Sequence, residues 1–209
     1  LIYPNTFYVG VDLGQRQDHT AIAVVERAQN NGKLAYYAVR GVERVALGTP
    51  YPQVVERVKE ILGSYELRGR SCLAVDATGV GAPVVDAMKA SVPGVEITAV
   101  TITSGDKATE GRSSYGIQRW NVPKRDLVAG VQVLLERGEL RIAKGLREVG
   151  PLVKELLDMR ATTQSTGRVR MGAEGAGEHD DLAIALMLGC WKAQRARAVS
   201  FGTARLPGT

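Results

Sequence analysis

Two short apolar stretches, Phe7-Tyr8-Val9-Gly10-Val11-Asp12 and Ser71-Cys72-Leu73-Ala74-Val75-Asp76, each stop on a carboxylate, and a Gly-containing turn follows both. Apolar, β-prone runs bounded by turn signals predict strands, the second of them buried. After the first come Gly14, the polar run Gln15 to His19, then Thr20 to Glu26. The turn signal Asn30-Asn31-Gly32 separates that segment from a further one, Leu34 to Val42. Three strands in succession joined by short turns predict an antiparallel meander.

Between and beyond the two acid-ended strands the period changes. Tyr51, Val54, Val55, Val58, Ile61 and Leu62 recur at helical spacing, which predicts a helix with one apolar face. Thr49 is the expected N-cap, with Pro50 just inside it. A helix over Pro83 to Ala90 and a strand over Val95 to Val100 follow. The stretch from Thr101 to about Val122 is rich in Thr, Ser and Gly without clear periodicity, and predicts a long mobile loop. Lys124 to Arg137 and Val149 to Leu157 read as helices, and Arg160 to Met171 as a hairpin with Ser165-Thr166-Gly167 at its tip. Asp180 and Asp181 open a strongly apolar helix, Leu182 to about Gln194. Meander, then α/β crossovers, predicts an α/β fold. Its mixed sheet combines a three-strand antiparallel meander with parallel strands, and helices cover both faces. One domain over residues 1–197 and a flexible tail over 198–209 are expected. The chain opens on Leu1 and runs quickly into a strand, which predicts an excised domain or a processed chain.

Composition narrows the class of function. With 44% hydrophobic and 23% charged residues, the 209-residue chain is ordinary globular material. No stretch approaches the ~20 apolar residues of a membrane span, so no membrane partner is expected. Cys72 and Cys190 lie far apart with no CxxC or Cys/His neighbourhood, which excludes a disulfide scaffold and a zinc finger and fits a reducing compartment. The net charge of +5 favours a polyanionic partner.

The acids carry the chemistry. If the first and fourth strands are neighbours, Asp12 and Asp76 sit side by side at a strand spacing of ~4.8 Å. A helix N-terminus laid against that sheet edge brings Asp181, with Asp180, to the same place. Two like charges 4 Å apart repel by about 4 kcal/mol at an effective dielectric of 20. Divalent cations relieve that repulsion, and hard oxygen donors without His or Cys suit Mg²⁺ or Mn²⁺. Two such ions make a phosphoryl-transfer site. Each acid also has a plainer reading: Asp12 as a strand-end turn former, Asp76 as a cap for the next helix, Asp180 and Asp181 as partners of a helix dipole.

The pattern resembles the RNase H-like nuclease superfamily, and more closely the C-terminal nuclease domain of the large terminase subunit of tailed phages. Four segments carry the likeness: Gly10-Val11-Asp12-Leu13-Gly14 with Asp18-His19-Thr20-Ala21; Ala74-Val75-Asp76-Ala77-Thr78-Gly79-Val80-Gly81; Val122-Pro123-Lys124-Arg125-Asp126-Leu127; and His179-Asp180-Asp181-Leu182-Ala183-Ile184-Ala185-Leu186. It runs from about residue 7 to 194. The resemblance implies an endonuclease that cuts concatemeric viral DNA during genome packaging by two-metal-ion phosphodiester hydrolysis. It implies catalytic roles for Asp12, Asp76 and Asp181. Asp12 would bridge two ions and Asp76 bind the second. Asp181 would be the ligand on the helix, with Asp180 as a further ligand or an orienter. The implied cofactors are two divalent cations, Mg²⁺ or Mn²⁺, and the substrate is double-stranded DNA. The implied partners are an N-terminal packaging ATPase domain of the parent chain, the portal and the small terminase subunit, in the host-cell cytoplasm. No GxxxxGK[ST] phosphate loop is present, so this chain would be the nuclease part alone.

Once the acids are assigned to metal, the remainder is distinctly basic. Lys107, Arg112, Arg119, Lys124 and Arg125 lie in or beside the expected loop, and Arg160, Arg168 and Arg170 on the expected hairpin. Together they predict a phosphate-gripping surface with little sequence specificity. Trp120 and Trp191 are expected to pack rather than stack on bases, and Cys190 to lie in the core. Rival readings remain open. Val9-Gly10-Val11-Asp12-Leu13-Gly14 also resembles the phosphate turn of actin-like and sugar-kinase ATPases, which need a second domain that 209 residues do not accommodate. A Holliday-junction resolvase-like nuclease and a non-catalytic DNA-binding module are the others.

Overall fold

The computed structural model of the chain describes residues 6–14, 18–30, 33–79, 82–163, 169–173 and 180–196. Its strands are β1 (Thr6–Asp12), β2 (Ala21–Asn30), β3 (Lys33–Arg44), β4 (Ser71–Asp76), β5 (Glu96–Thr103), β6 (Thr109–Glu110), β7 (Ile117–Pro123), β8 (Leu140–Ile142), β9 (Met159–Thr163) and β10 (Val169–Ala173). The helices are α1 (Tyr51–Gly63), α2 (Ala82–Ser91), α3 (Lys124–Glu136), α4 (Val149–Asp158) and α5 (Asp181–Arg195).

Eight strands form one mixed sheet in the order β6-β7-β5-β4-β1-β2-β3-β8, and β9 with β10 makes a separate antiparallel pair. β1, β2 and β3 are the antiparallel meander. β4, β5 and β7 extend it in parallel from the β1 side. Each β-α-β return requires a helix over the sheet, and strand alternation sorts the side chains between the two layers. Phe7, Val9 and Val11 of β1 and Leu73 and Val75 of β4 meet α1 and α2 in one core. Tyr8 of β1 and Ala74 of β4 join the other core, with α3, α4 and α5. Helix α5 is buried from Asp181 to Ala193 because it runs between the sheet and the outer helices. Its buried lysine, Lys192, donates to Glu96 (2.6 Å) and Gln118 (3.0 Å) on β5 and β7.

Glycine makes that central crossing possible. A Cβ on Gly10 would stand 1.9 Å from the carbonyl oxygen of Ala185 and 2.7 Å from the amide nitrogen of Gly189. Backbone cannot yield as a side chain can, so β1 and α5 reach this separation only with a bare Cα.

Several expectations are corrected. Residues 101–122 are not a long loop: β5 continues to Thr103, β6 follows, and β7 pairs with β5 from Ile117 to Pro123. Strand β7 escapes periodicity because the α5-facing position Gln118 is polar and serves Lys192. Strand β8, three residues long, was unanticipated. Pro50, not Thr49, occupies the N-cap of α1, and the Thr49 hydroxyl donates to the Ala46 carbonyl (2.7 Å). Trp120 and Trp191 pack edge to face with ring centroids 5.7 Å apart, and Cys190 is buried, as expected. The hairpin tip Ser165-Thr166-Gly167 and the tail 198–209 lie outside the described residues.

Candidate active site

Alternation and register together bring the acids to one place. Gly10 faces α5, so Asp12, two residues on, leaves the sheet on the same face. On β4, Cys72 and Ala74 pack on the α5 side, and Asp76 follows them there. The parallel register pairs Val9 with Leu73 and Val11 with Val75, so Asp12 and Asp76 are the next residues on adjacent strands, ~4.8 Å apart in the pairing direction. Helix α5 lies with Ala185 and Gly189 against Gly10 and Gly189 near Tyr8, so it runs opposite to β1. Going back one turn from Ala185 to Asp181 covers about 6 Å. Going forward from Gly10 to Asp12 covers about 6.6 Å. Asp181 therefore comes to the end of β1 where Asp12 stands.

The electrostatics agree. The Asp12 carboxyl is held well above its ordinary pKa, first by burial and then by the charges of Asp76, Asp181 and Asp180, with Lys124 opposing. Asp76 is also raised, by burial, although hydrogen bonds from Thr78 pull the other way. The Thr78 amide donates to Asp76 Oδ1 (2.7 Å), an Asx turn closed two residues on, and α2 starts only at Ala82. Asp76 is thus no helix cap. Asp180 is the N-cap residue of α5 by position, but its side chain makes no capping hydrogen bond. Its Oδ2 accepts from Lys124 Nζ at 2.6 Å.

Sequence reasoning missed two residues at this site. Glu155 of α4 is 6% exposed and Asp181 5%. The Ala183 amide donates to Glu155 Oε2 (2.8 Å), and Arg44 Nη2 pairs with Glu155 Oε1. Arg44 Nε also stands 3.4 Å from Asp181 Oδ2. Burial raises the Glu155 carboxyl to about 7, against the Ala183 hydrogen bond and the Arg44 charge. A faint signal existed for Glu155, three residues after buried Leu152 on the inward face of α4. Arg44 gave none.

The donor chemistry fits hard divalent cations: every candidate ligand is a carboxylate, and Asp12, which feels the charges of the other three, receives no hydrogen bond among the described residues. Also among the described residues, no three His, Cys, Asp or Glu side chains are placed so that they could hold a metal ion as they stand. Cations of the protein itself, Lys124 and Arg44, stand among these acids.

The basic residues divide. Lys107 and Arg112 are exposed in the connections on either side of β6. Arg125 is exposed but ion-paired with Asp106 (3.1 Å). Two of them sit differently from the rest. Lys124 stands in the acid cluster, ion-paired with Asp180. Arg119 alternates with Gln118 and Trp120, which both meet α5, so it leaves the sheet on the face away from Asp12 and Asp76. Arg160 and Arg170 lie on β9 and β10, whose pair sits beside α3 and α4. Arg168 and His179 lie outside the described residues.

No curated protein matches the chain. Among solved structures it is similar to the large terminase nuclease from thermophilic phage G20c with bound magnesium, at 23% identity and a TM-score of 0.64, covering 90% of this chain and 82% of that one. It is also similar to the large terminase nuclease domain of bacteriophage SPP1 with bound Mn, at 13% identity and a TM-score of 0.53, covering 90% and 86%. The human cytomegalovirus terminase nuclease domain soaked with Mn gives 13% identity and a TM-score of 0.54, covering 89% and 83%. These likenesses establish a common fold. The model of the terminase RNaseH-like domain family matches residues 9–192, from β1 through α5 and so across all four acids, and the chain belongs to that family.

Proposed function

We propose that the chain is a divalent-metal-dependent DNA endonuclease that cuts concatemeric viral DNA during genome packaging. The observation that carries this reading is the meeting of Asp12, Asp76, Asp180 and Asp181 at one end of the sheet, with the Asp12 carboxyl raised by burial and by the charges of the other three. Membership of the terminase RNaseH-like family supports it, as do the magnesium and manganese bound in two structures of the same fold.

Two ions, Mg²⁺ or Mn²⁺, would be held by Asp12, Asp76 and Asp181, with Asp180. When bound they would neutralise the scissile phosphate, acidify the attacking water and stabilise the leaving 3′ oxygen. The strands set Asp12 and Asp76 at fixed spacing, and α5 carries Asp181 as a rigid third support. Lys107, Arg112 and Arg125, with Arg160, Arg168 and Arg170 of the β9–β10 segment, would grip the phosphates of double-stranded DNA. In the parent protein the domain would act beside an ATPase motor domain, the portal and the small terminase subunit, in the host-cell cytoplasm. Among the described residues no helix is long and apolar enough to cross a membrane.

The test is incubation with supercoiled plasmid and Mn²⁺ or Mg²⁺, with and without chelator, repeated with Asp12→Ala. The expected result is nicked and linear DNA with 5′-phosphate and 3′-hydroxyl ends, formed only by the unaltered chain with metal. Cutting that persists in chelator or in Asp12→Ala, or 3′-phosphate ends, would overturn the reading. Binding without cutting would make the chain a DNA-holding module.

A further inference from the structure

Helix α5 has to present two adjacent carboxylates to the site while its own first turn needs a hydrogen-bond acceptor. The amide at the third helical position, Ala183, is the one an N-cap side chain ordinarily takes. Asp180 does not take it. The acceptor comes instead from another helix: Glu155 Oε2 of α4, at 2.8 Å. The other oxygen of the same carboxylate holds the Arg44 guanidinium, whose Nε faces Asp181 Oδ2 at 3.4 Å, beyond good hydrogen-bond length.

We propose that Glu155 is the positioning residue of this site: by capping α5 in place of Asp180 and by holding Arg44 to itself, it keeps the Ala183 amide from claiming Asp180 and the Arg44 guanidinium from closing on Asp181. The inference rests on the metal-dependent reading above. Three elements that are distant in sequence meet in this device, the end of β3, the inner face of α4 and the start of α5. Glu155 and Asp181 are both buried, and Arg44 is 20% exposed, so one guanidinium stands between two carboxylates shielded from water. Were the Glu155 charge removed, the guanidinium would have one carboxylate left to satisfy, Asp181, and would compete there with any incoming cation. Arg is suited to such a role because its planar fork can serve two acceptors at once. The amide of Gln still offers a carbonyl oxygen to Ala183, so Glu155→Gln tests the charge while retaining the cap.

The experiment is calorimetric titration of the full chain with Mn²⁺ alone, alongside melting curves in chelator to verify folding. Unaltered protein binds Mn²⁺, and Asp12→Ala does not; failure of this control removes the metal-dependent reading and the present one with it. Given that control, Glu155→Gln is expected to bind Mn²⁺ about 10–100-fold more weakly, the usual loss when a supporting residue behind a metal ligand is changed. Adding Arg44→Gln to Glu155→Gln is expected to restore most of the affinity by removing the competitor. A purely structural Glu155 would give losses that add. Unchanged affinity in Glu155→Gln, or no recovery in the double variant, would overturn the proposal. Should Glu155→Gln not fold, Arg44→Gln alone decides: the proposal expects Mn²⁺ affinity equal to or tighter than that of the unaltered chain, and weaker binding refutes it.

Discussion

Asp12 stands among three further carboxylates, and its carboxyl is raised well above the ordinary value because burial disfavours the charge and the charges of Asp76, Asp181 and Asp180 repel it. Function and stability should therefore oppose each other at this residue. In chelator, Asp12→Asn removes the repulsion and keeps the side-chain shape. The expected gain is about 1 kcal/mol or more, which for a chain of this length is about 2–4 °C in Tm. The same substitution should cost cleavage about a thousandfold, since metal-borne charge stabilisation amounts to several kcal/mol and each 1.36 kcal/mol is about tenfold in rate. Melting curves in chelator and plasmid-cleavage rates check the two halves. A variant that is both inactive and less stable in chelator would mean that Asp12 serves the fold.

At the scale of elements, the crossing of α5 over β1 depends on Gly10. Gly10→Ala drives a methyl group into the Ala185 carbonyl oxygen, 1.9 Å away, and overpacking of this kind costs about 1–3 kcal/mol. Gly189→Ala meets first Val25 Cγ2 at 3.0 Å, a side-chain methyl that can shift, and should cost less. Urea unfolding should show a lower midpoint for Gly10→Ala than for Gly189→Ala with an unchanged slope. Gly10 also shows where the sequence was readable and where it was not. The strand around it, its acid and its turn were evident from local pattern. The reason for the glycine was not, because its neighbour in space is 175 positions away in helix α5. The same division holds elsewhere. Helices α1, α3 and α4 announced themselves by periodicity, since each has one face in a core, the meander by its β-prone runs and turn signals, and α5 by its apolar run, buried from Asp181 to Ala193. Strand β7 did not, because Gln118 answers to buried Lys192 and Asn121 to Thr109 on β6. The meeting of Asp12, Asp76 and Asp181 was inferable from strand ends and a helix start, but the Arg44–Glu155 pair joins two ordinary charged residues 111 positions apart, and no local pattern marks it.

For the whole molecule, the raised carboxyls fix the sign of its pH dependence. The folded chain holds protons on Asp12 and Asp76 more tightly than the ordinary value of 3.8, and on Glu155 up to about 7 against 4.5. Below those ordinary values both folded and unfolded chains are protonated at these groups, and the groups contribute no slope. Between them and the raised values the folded state binds more protons than the unfolded one, so stability falls as pH rises. Divalent cations require the ionised carboxylates, so their stabilisation grows as protons leave. The expected outcome is a Tm in chelator that falls from about pH 5 to about pH 8, while excess Mg²⁺ raises Tm by an increment that widens over the same range. At a concentration about 100-fold above the dissociation constant the ion adds about 2.7 kcal/mol, enough to move Tm by about 5–10 °C. Melting curves across that range, with chelator and with Mg²⁺, check both trends. A Tm in chelator that climbs with pH would mean that the acids are satisfied by the protein's own cations. Lys124 and Arg44 would then be permanent partners of Asp180 and Asp181 rather than groups that yield to metal.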